Sequence, residues 1–169
     1  MGVSYTTKKN LIPQMMKKAQ ALDGKKVEVG IFDGDHAWLV GIHEYGCRIP
    51  VTPKMRAFLH YNGIHLKEDT KEILIPERSF LRSGFDSCNE EFLNYVDKIL
   101  EVYLNPRKHS DAFLRNCGKM LVSQIKKYAR DLKEPPKSEA SHIMGTKNSN
   151  PLIETGEMIQ SITYRIEDE

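Results

Sequence analysis

The sequence predicts an α+β fold: a small antiparallel sheet with amphipathic helices packed on it, plus extended loops or arms. Three observations carry this. Apolar and polar residues alternate around Val27, Val29 and Ile31, and again around Ile162, Tyr164 and Ile166, which is the period of a half-buried strand. Between Phe92 and Leu132 the apolar period lengthens to that of a helix. Connections are marked by breakers such as Asp23-Gly24, Asn62-Gly63 and Pro135-Pro136.

From the N-terminus, Thr6 to Leu22 carries Leu11, Ile12, Met15, Met16, Ala19 and Leu22 on one helical stripe. Pro13 delays the start, since proline fits only the first turn, and Asp23-Gly24 ends the helix. Val27, Val29 and Ile31 alternate with Lys26, Glu28 and Gly30 in a strand, followed by a turn at Asp33-Gly34-Asp35. A short helix is predicted from His36 to Tyr45, with Gly46 in the C-cap position. Ile49-Pro50-Val51-Thr52-Pro53 is extended, because a residue before proline avoids the α region. Thr52 then caps a helix that starts at Pro53 and runs through Met55, Phe58 and Leu59 to Asn62-Gly63. Ile64 and Leu66 on one side of the polar Lys67–Glu72 loop, and Ile73 to Ile75 on the other, predict a β-hairpin.

A helical segment is predicted over about 86–132. Phe92, Val96, Ile99 and Tyr103 form one stripe, widened by Leu93, Tyr95 and Leu100. Asn105-Pro106 breaks it, and Ser110 or Asp111 is placed to cap a second helix with Phe113, Cys117, Met120, Leu121, Ile125, Tyr128 and Leu132 on one face. Two such helices pack as an antiparallel pair or across a sheet. Lys133 to Asn150 lacks periodicity and predicts a long exposed loop, of a length that is usually functional or disordered until bound. A short helix near Glu157–Gln160 and a last strand with Ile162, Tyr164 and Ile166 close a single domain, 1–169.

Composition narrows the function classes. A chain of 169 residues buries about 70% of its unfolded surface and needs no metal or disulfide staple to fold. The net charge of +2 is too small to argue for a dedicated nucleic-acid binder. Cys47, Cys88 and Cys117 are odd in number and widely spaced, a pattern of reduced thiols rather than a secreted disulfide framework. Lys8 and Lys9 precede no apolar run, so no signal peptide is predicted. No stretch approaches the ~20 apolar residues of a membrane span. The expectation is a soluble protein of a reducing compartment, without membrane association.

Chemistry has few candidates. His36, His43 and Glu44 invite a metal reading, but a zincin helix needs two histidines four apart, and these are seven apart; His60 and His65 are remote in sequence. Ser79 and Ser161 sit in no nucleophile elbow, and no phosphate-cradling loop is present. Glu44, Glu77 and Glu154 fall near helix ends, where capping is the commoner role. Arg78 and Arg82 flank Phe80 and Leu81, a mixture found at interfaces but equally made by two core residues beside two solvated charges. Lys54, Arg56, Lys126, Lys127 and Arg130 suit solvent better than DNA. No helix-turn-helix with a basic recognition helix is evident. No catalytic, metal-binding or cofactor-binding residue is expected, and the chain is not expected to be an enzyme; a small metal-dependent hydrolase is the remote alternative.

Three phrases stand out instead: Ile42-His43-Glu44-Tyr45-Gly46; Ile75-Pro76-Glu77-Arg78-Ser79-Phe80-Leu81-Arg82; and Pro151-Leu152-Ile153-Glu154-Thr155-Gly156-Glu157-Met158-Ile159-Gln160-Ser161-Ile162. In combination and order they resemble the tail-completion (head–tail joining) and minor-tail proteins of tailed bacteriophages. The likeness covers about residues 26–86 and 146–167; the helices between match in character only. The stretch 54–72 is an insertion-like departure. The resemblance implies a virion subunit forming a ring, most often a hexamer, at the head–tail junction, assembled in the host cytoplasm. Its implied partners are further copies of itself, a head-completion or connector protein, and a tail terminator or tail-tube protein. DNA would pass through the lumen without sequence recognition. A tail terminator or head-closure adaptor is the nearest alternative. The residues so marked for structure or interface are His43, Glu44, Tyr45, Gly46, Pro50, Pro76, Arg78, Phe80, Leu81, Arg82, Pro151, Leu152, Thr155, Gly156, Met158 and Ser161. Cys47–Pro53 and Lys133–Asn150, which lack a pattern of their own, are expected to touch neighbouring subunits.

Overall fold

The computed structural model describes residues 10–106, 112–145 and 149–168. Thr6, where the first helix was expected to begin, and the expected cap at Ser110 or Asp111 lie outside the described residues. Within them the chain runs α1 (Ile12–Gln20), β1 (Lys25–Gly30), α2 (Gly34–Tyr45), β2 (Cys47–Pro50), α3 (Pro53–Tyr61), β3 (Glu72–Ile75), α4 (Leu81–Leu104), α5 (Phe113–Asp131), α6 (Glu139–Met144), α7 (Glu157–Gln160) and β4 (Thr163–Asp168). The α+β character is as expected, but the sheet is divided: β1 pairs with β4 and β2 with β3, both antiparallel.

The first and last strands meet because their side chains match across the ladder. The register sets Lys25 against Asp168, Lys26 against Glu167 and Glu28 against Arg165, opposite charges at each pair. Arg165 also lies 4.3 Å from the centre of the Phe32 ring. Val27 faces Ile166 and Val29 faces Tyr164. Helix α5 covers β1 and β4, and on its other side it packs against α4. A Cβ on Gly84 near the start of α4 would stand 3.5 Å from Ile125 and Tyr128 late in α5, while Tyr103 near the end of α4 stacks on Phe113, so the two helices run antiparallel. Both arrangements open to this helix pair are therefore used at once. The core lies where α2, α5 and the C-terminal segment converge, built from Val40, Phe80, Ile125, Ala129, Leu152, Met158, Ile159 and Ile162.

Local signals hold in several places. Gly46 ends α2 with φ 72° as expected, whereas the helix starts at Gly34, inside the expected turn, with Asp33 capping it by accepting from the His36 amide at 2.9 Å. Thr52 caps α3 through the Met55 amide, with Pro53 in its first turn. Four expectations are corrected. The hairpin between Ile64–Leu66 and Ile73–Ile75 is not formed; β3 pairs with β2, and Cys47–Pro50 is thus strand rather than a free extended arm. Helix α4 starts at Leu81, ahead of the expected 86. The stretch 133–150 contains α6, capped by Ser138 through the Ser141 amide. Its polar ends also bind back onto the body, as described below. β2, α3 and β3 form an arm: among the described residues the two strands pack chiefly on each other, and α3 has no extensive contact with another element. Among the described residues no helix is long and apolar enough to cross a membrane.

Candidate functional site

The first two marked phrases, far apart in the chain, meet at Glu44, and the third joins them through the core around Phe80 and across a groove. The Glu44 carboxylate is 3% exposed at the end of α2. Its Oε2 accepts from the amides of Phe80 (2.9 Å) and Leu81 (3.0 Å), and its Oε1 accepts from the amide of Arg82 (3.0 Å). These are the orphan donors of the first turn of α4, whose own N-cap, Phe80, offers no side-chain cap. Glu44 thus caps a helix from another element, and its charge sits at the favourable end of the helix dipole.

Arg82 closes the arrangement. Its Nε donates to Glu44 Oε1 at 3.0 Å, and its Nη2 donates to the Glu44 carbonyl and to Glu77 Oε1, both at 2.7 Å. The guanidinium lies 4.7 Å from the centre of the Tyr45 ring, and its pKa is raised, first by the Glu44 hydrogen bond. Gly46 is required where the second phrase passes: a Cβ there would stand 2.9 Å from the Ile75 carbonyl oxygen and 3.0 Å from the Glu77 nitrogen.

Arg78 points the other way. Its amide donates to the His43 carbonyl at 2.7 Å, while Nε and Nη2 donate to the carbonyls of Pro135 and Pro136, both at 2.8 Å. Burial lowers its pKa. His43 Nδ1 is buried without a hydrogen-bond partner among the described residues. Its pKa is lowered by burial, then by the charges of Arg78 and Lys137.

The third phrase forms the opposite wall. Asn150 donates to the Ala129 and Arg130 carbonyls, tying off α5, and accepts from the Leu152 amide. Gly156 takes φ 87° just ahead of α7, as the turn requires, and Thr155 Oγ1 accepts from the Glu157 amide at 3.3 Å. Ser161 donates to the Met158 carbonyl. Lys137 donates to the Ile153 carbonyl and pairs with Glu154 at 3.2 Å. A groove of about 700 Å³ runs between this wall and β3, with His36, His43, Arg78 and Lys137 on its floor and rim.

Of the marked residues, Phe80, Leu152 and Met158 are core, which decides the open question of Phe80 in favour of packing. Leu81 packs against the same core. Pro76, Arg78, Pro151 and Thr155 line the groove, Tyr45 is exposed, and Pro50 sits away from it in β2. Lys137 and the Pro135-Pro136 carbonyls were missed, because an aperiodic loop carries no signal of where it docks. Glu44 has both oxygens on backbone and arginine donors, so it does not stand ready as a metal ligand, while His36 holds Asp33 through Nδ1. Among the described residues no group of three His, Cys, Asp or Glu side chains stands close enough to hold a metal ion. His60 and His65 touch only each other in this respect, Nδ1 to Nδ1 at 2.8 Å on the arm.

No family model matches the chain, and no curated protein or solved structure is similar to it.

Proposed function

We propose that this chain is a structural subunit of a tailed-bacteriophage virion, a tail-completion or head–tail joining protein whose copies form a ring, a hexamer in this reading, at the neck. The observation that supports it is the convergence of the three family-like phrases, the first two on Glu44 and the third through the shared core and groove. Their charged and polar groups are spent on capping, turn and loop anchoring, which is what a scaffold subunit asks of them. The arm adds support: Phe58 is 55% and Tyr61 90% exposed on the short helix α3, large apolar side chains available for a contact. In this reading the subunit is not an enzyme. It meets a head-completion or connector protein on one side and a tail terminator or tube protein on the other, and DNA crosses its lumen unread.

The test is electron microscopy of lysates from a phage lacking the gene. DNA-filled heads beside finished, unattached tails are expected. Tails of uncontrolled length would make the protein a terminator, leaking heads a closure adaptor, and normal virions would end the structural reading.

A further inference from the structure

We propose that the groove between β3 and the Pro151–Met158 wall is a peptide-docking site, taking an extended segment of a partner protein that sets an acidic side chain among apolar ones. This is a property of the groove and does not depend on ring formation.

Charge is the first support. Arg78 is 7% exposed, its two bound nitrogens rest on neutral carbonyls, and among the described residues it forms no ion pair. Lys137, with its side chain 10% exposed, adds a second cation near His43, and its carboxylate partner Glu154 is itself 56% exposed. A buried cation held only by carbonyls is costly, and a carboxylate from outside relieves that cost.

Backbone is the second. The Val51 amide donates to the Lys71 carbonyl at 2.8 Å, in the same register as Ile49 with Ile73 and Cys47 with Ile75. Antiparallel pairs alternate, so Ile73 and Ile75 spend their backbone groups on β2 while Leu74 turns its amide and carbonyl to the open edge. Pro50, opposite Glu72, occupies the equivalent outward position of β2, where a missing N–H costs nothing. Leu74 lines the groove and among the described residues has no backbone partner there, which is the geometry by which an added strand is captured. Apolar wall is the third: Leu39, Pro76, Leu152 and Met158 receive the alternate side chains of such a strand. A nucleic-acid strand fits less well, because it asks for a row of exposed cations rather than one buried guanidinium beside an apolar wall.

The test uses the unaltered protein and fluorescein-labelled, end-blocked octapeptides of alternating valine and serine with one central glutamate. Matched peptides carry glutamine or lysine in its place. Saturable binding of the glutamate peptide is expected, with the glutamine peptide weaker by about tenfold or more. Amide shifts are expected at Leu74, Lys137 and Leu152, and N-methylation of the peptide at its edge-facing positions abolishes binding. Lys137→Gln is expected to weaken the glutamate peptide but not the glutamine one. Absence of binding by every peptide at about millimolar concentration overturns the proposal. So do equal affinities across the panel, shifts confined to another surface, undiminished binding of the N-methylated peptide, or an oligothymidylate that binds the groove where peptides do not.

Discussion

Glu44 is the side chain on which the meeting of the first two phrases depends. Its removal leaves three amides at the start of α4 without acceptors, one of them buried. A lost cap costs about 1 kcal/mol and each buried orphan donor about 1–3. Glu44→Ala is therefore expected to lower unfolding stability by about 3 kcal/mol in urea titration, with Glu44→Gln less damaging because one oxygen still accepts; a loss below about 1 kcal/mol would contradict the capping role. His43 sets a pH dependence. Its folded pKa lies below the ordinary histidine value, so below pH ~6.5 the unfolded chain takes up the proton first and stability falls with pH. The slope of stability against pH between about 5 and 7 should flatten in His43→Gln, other histidines being common to both proteins. An unchanged slope would mean that His43 is as easily protonated folded as unfolded.

At the scale of elements, one close approach between helix and sheet rests on a glycine. A Cβ on Gly118 in α5 would stand 2.3 Å from the Tyr164 ring of β4, whereas one on Gly41 in α2 would meet nothing within 4 Å. Gly118→Ala must displace the Tyr164 ring from its place against α5 and is expected to cost about 2 kcal/mol, in the range of overpacked cores. Gly41→Ala should instead stabilise by about 0.5–1 kcal/mol through helix propensity. Thermal melts of the two variants should move in opposite directions, and a shared direction would refute the packing. Element ends capped from nearby, at Thr52 and Gly46, were legible in the sequence. The start of α4 was not, because its cap is Glu44, thirty-six residues before Phe80. The pairing of β3 was missed for a related reason: Ile64 and Leu66 are near Ile73 in sequence, but the partner chosen, Cys47–Pro50, lies across an intervening helix.

For the whole molecule the arm is the part least explained by internal packing. Arg56 holds it in shape, donating to the carbonyls of Leu66, Lys67 and Thr70. Its apolar residues Phe58 and Tyr61 face solvent. If the ring reading is right, replacing both by serine leaves folding within about 0.5 kcal/mol of the parent, as surface changes do, while sedimentation shows the assembled species lost. Retained assembly would move the subunit contact elsewhere. Hydrogen exchange on assembly offers a companion measurement: protection is expected at Cys47–Pro53 and Lys133–Asn150, and its absence there would remove both from the interface.

By itself the sequence determined what short-range physics can carry. That comprises the α+β class, the two long amphipathic helices, the caps and turn glycines, and the terminal strand, all written in periodicity and in residues within a turn of their partners. Tertiary structure alone decided that β1 meets β4, that Glu44 caps a remote helix, that Phe80 is core, and that Arg78 is buried on two proline carbonyls beside a groove. Those outcomes depend on which distant groups satisfy buried donors and opposite charges, and no local pattern encodes the partner's address.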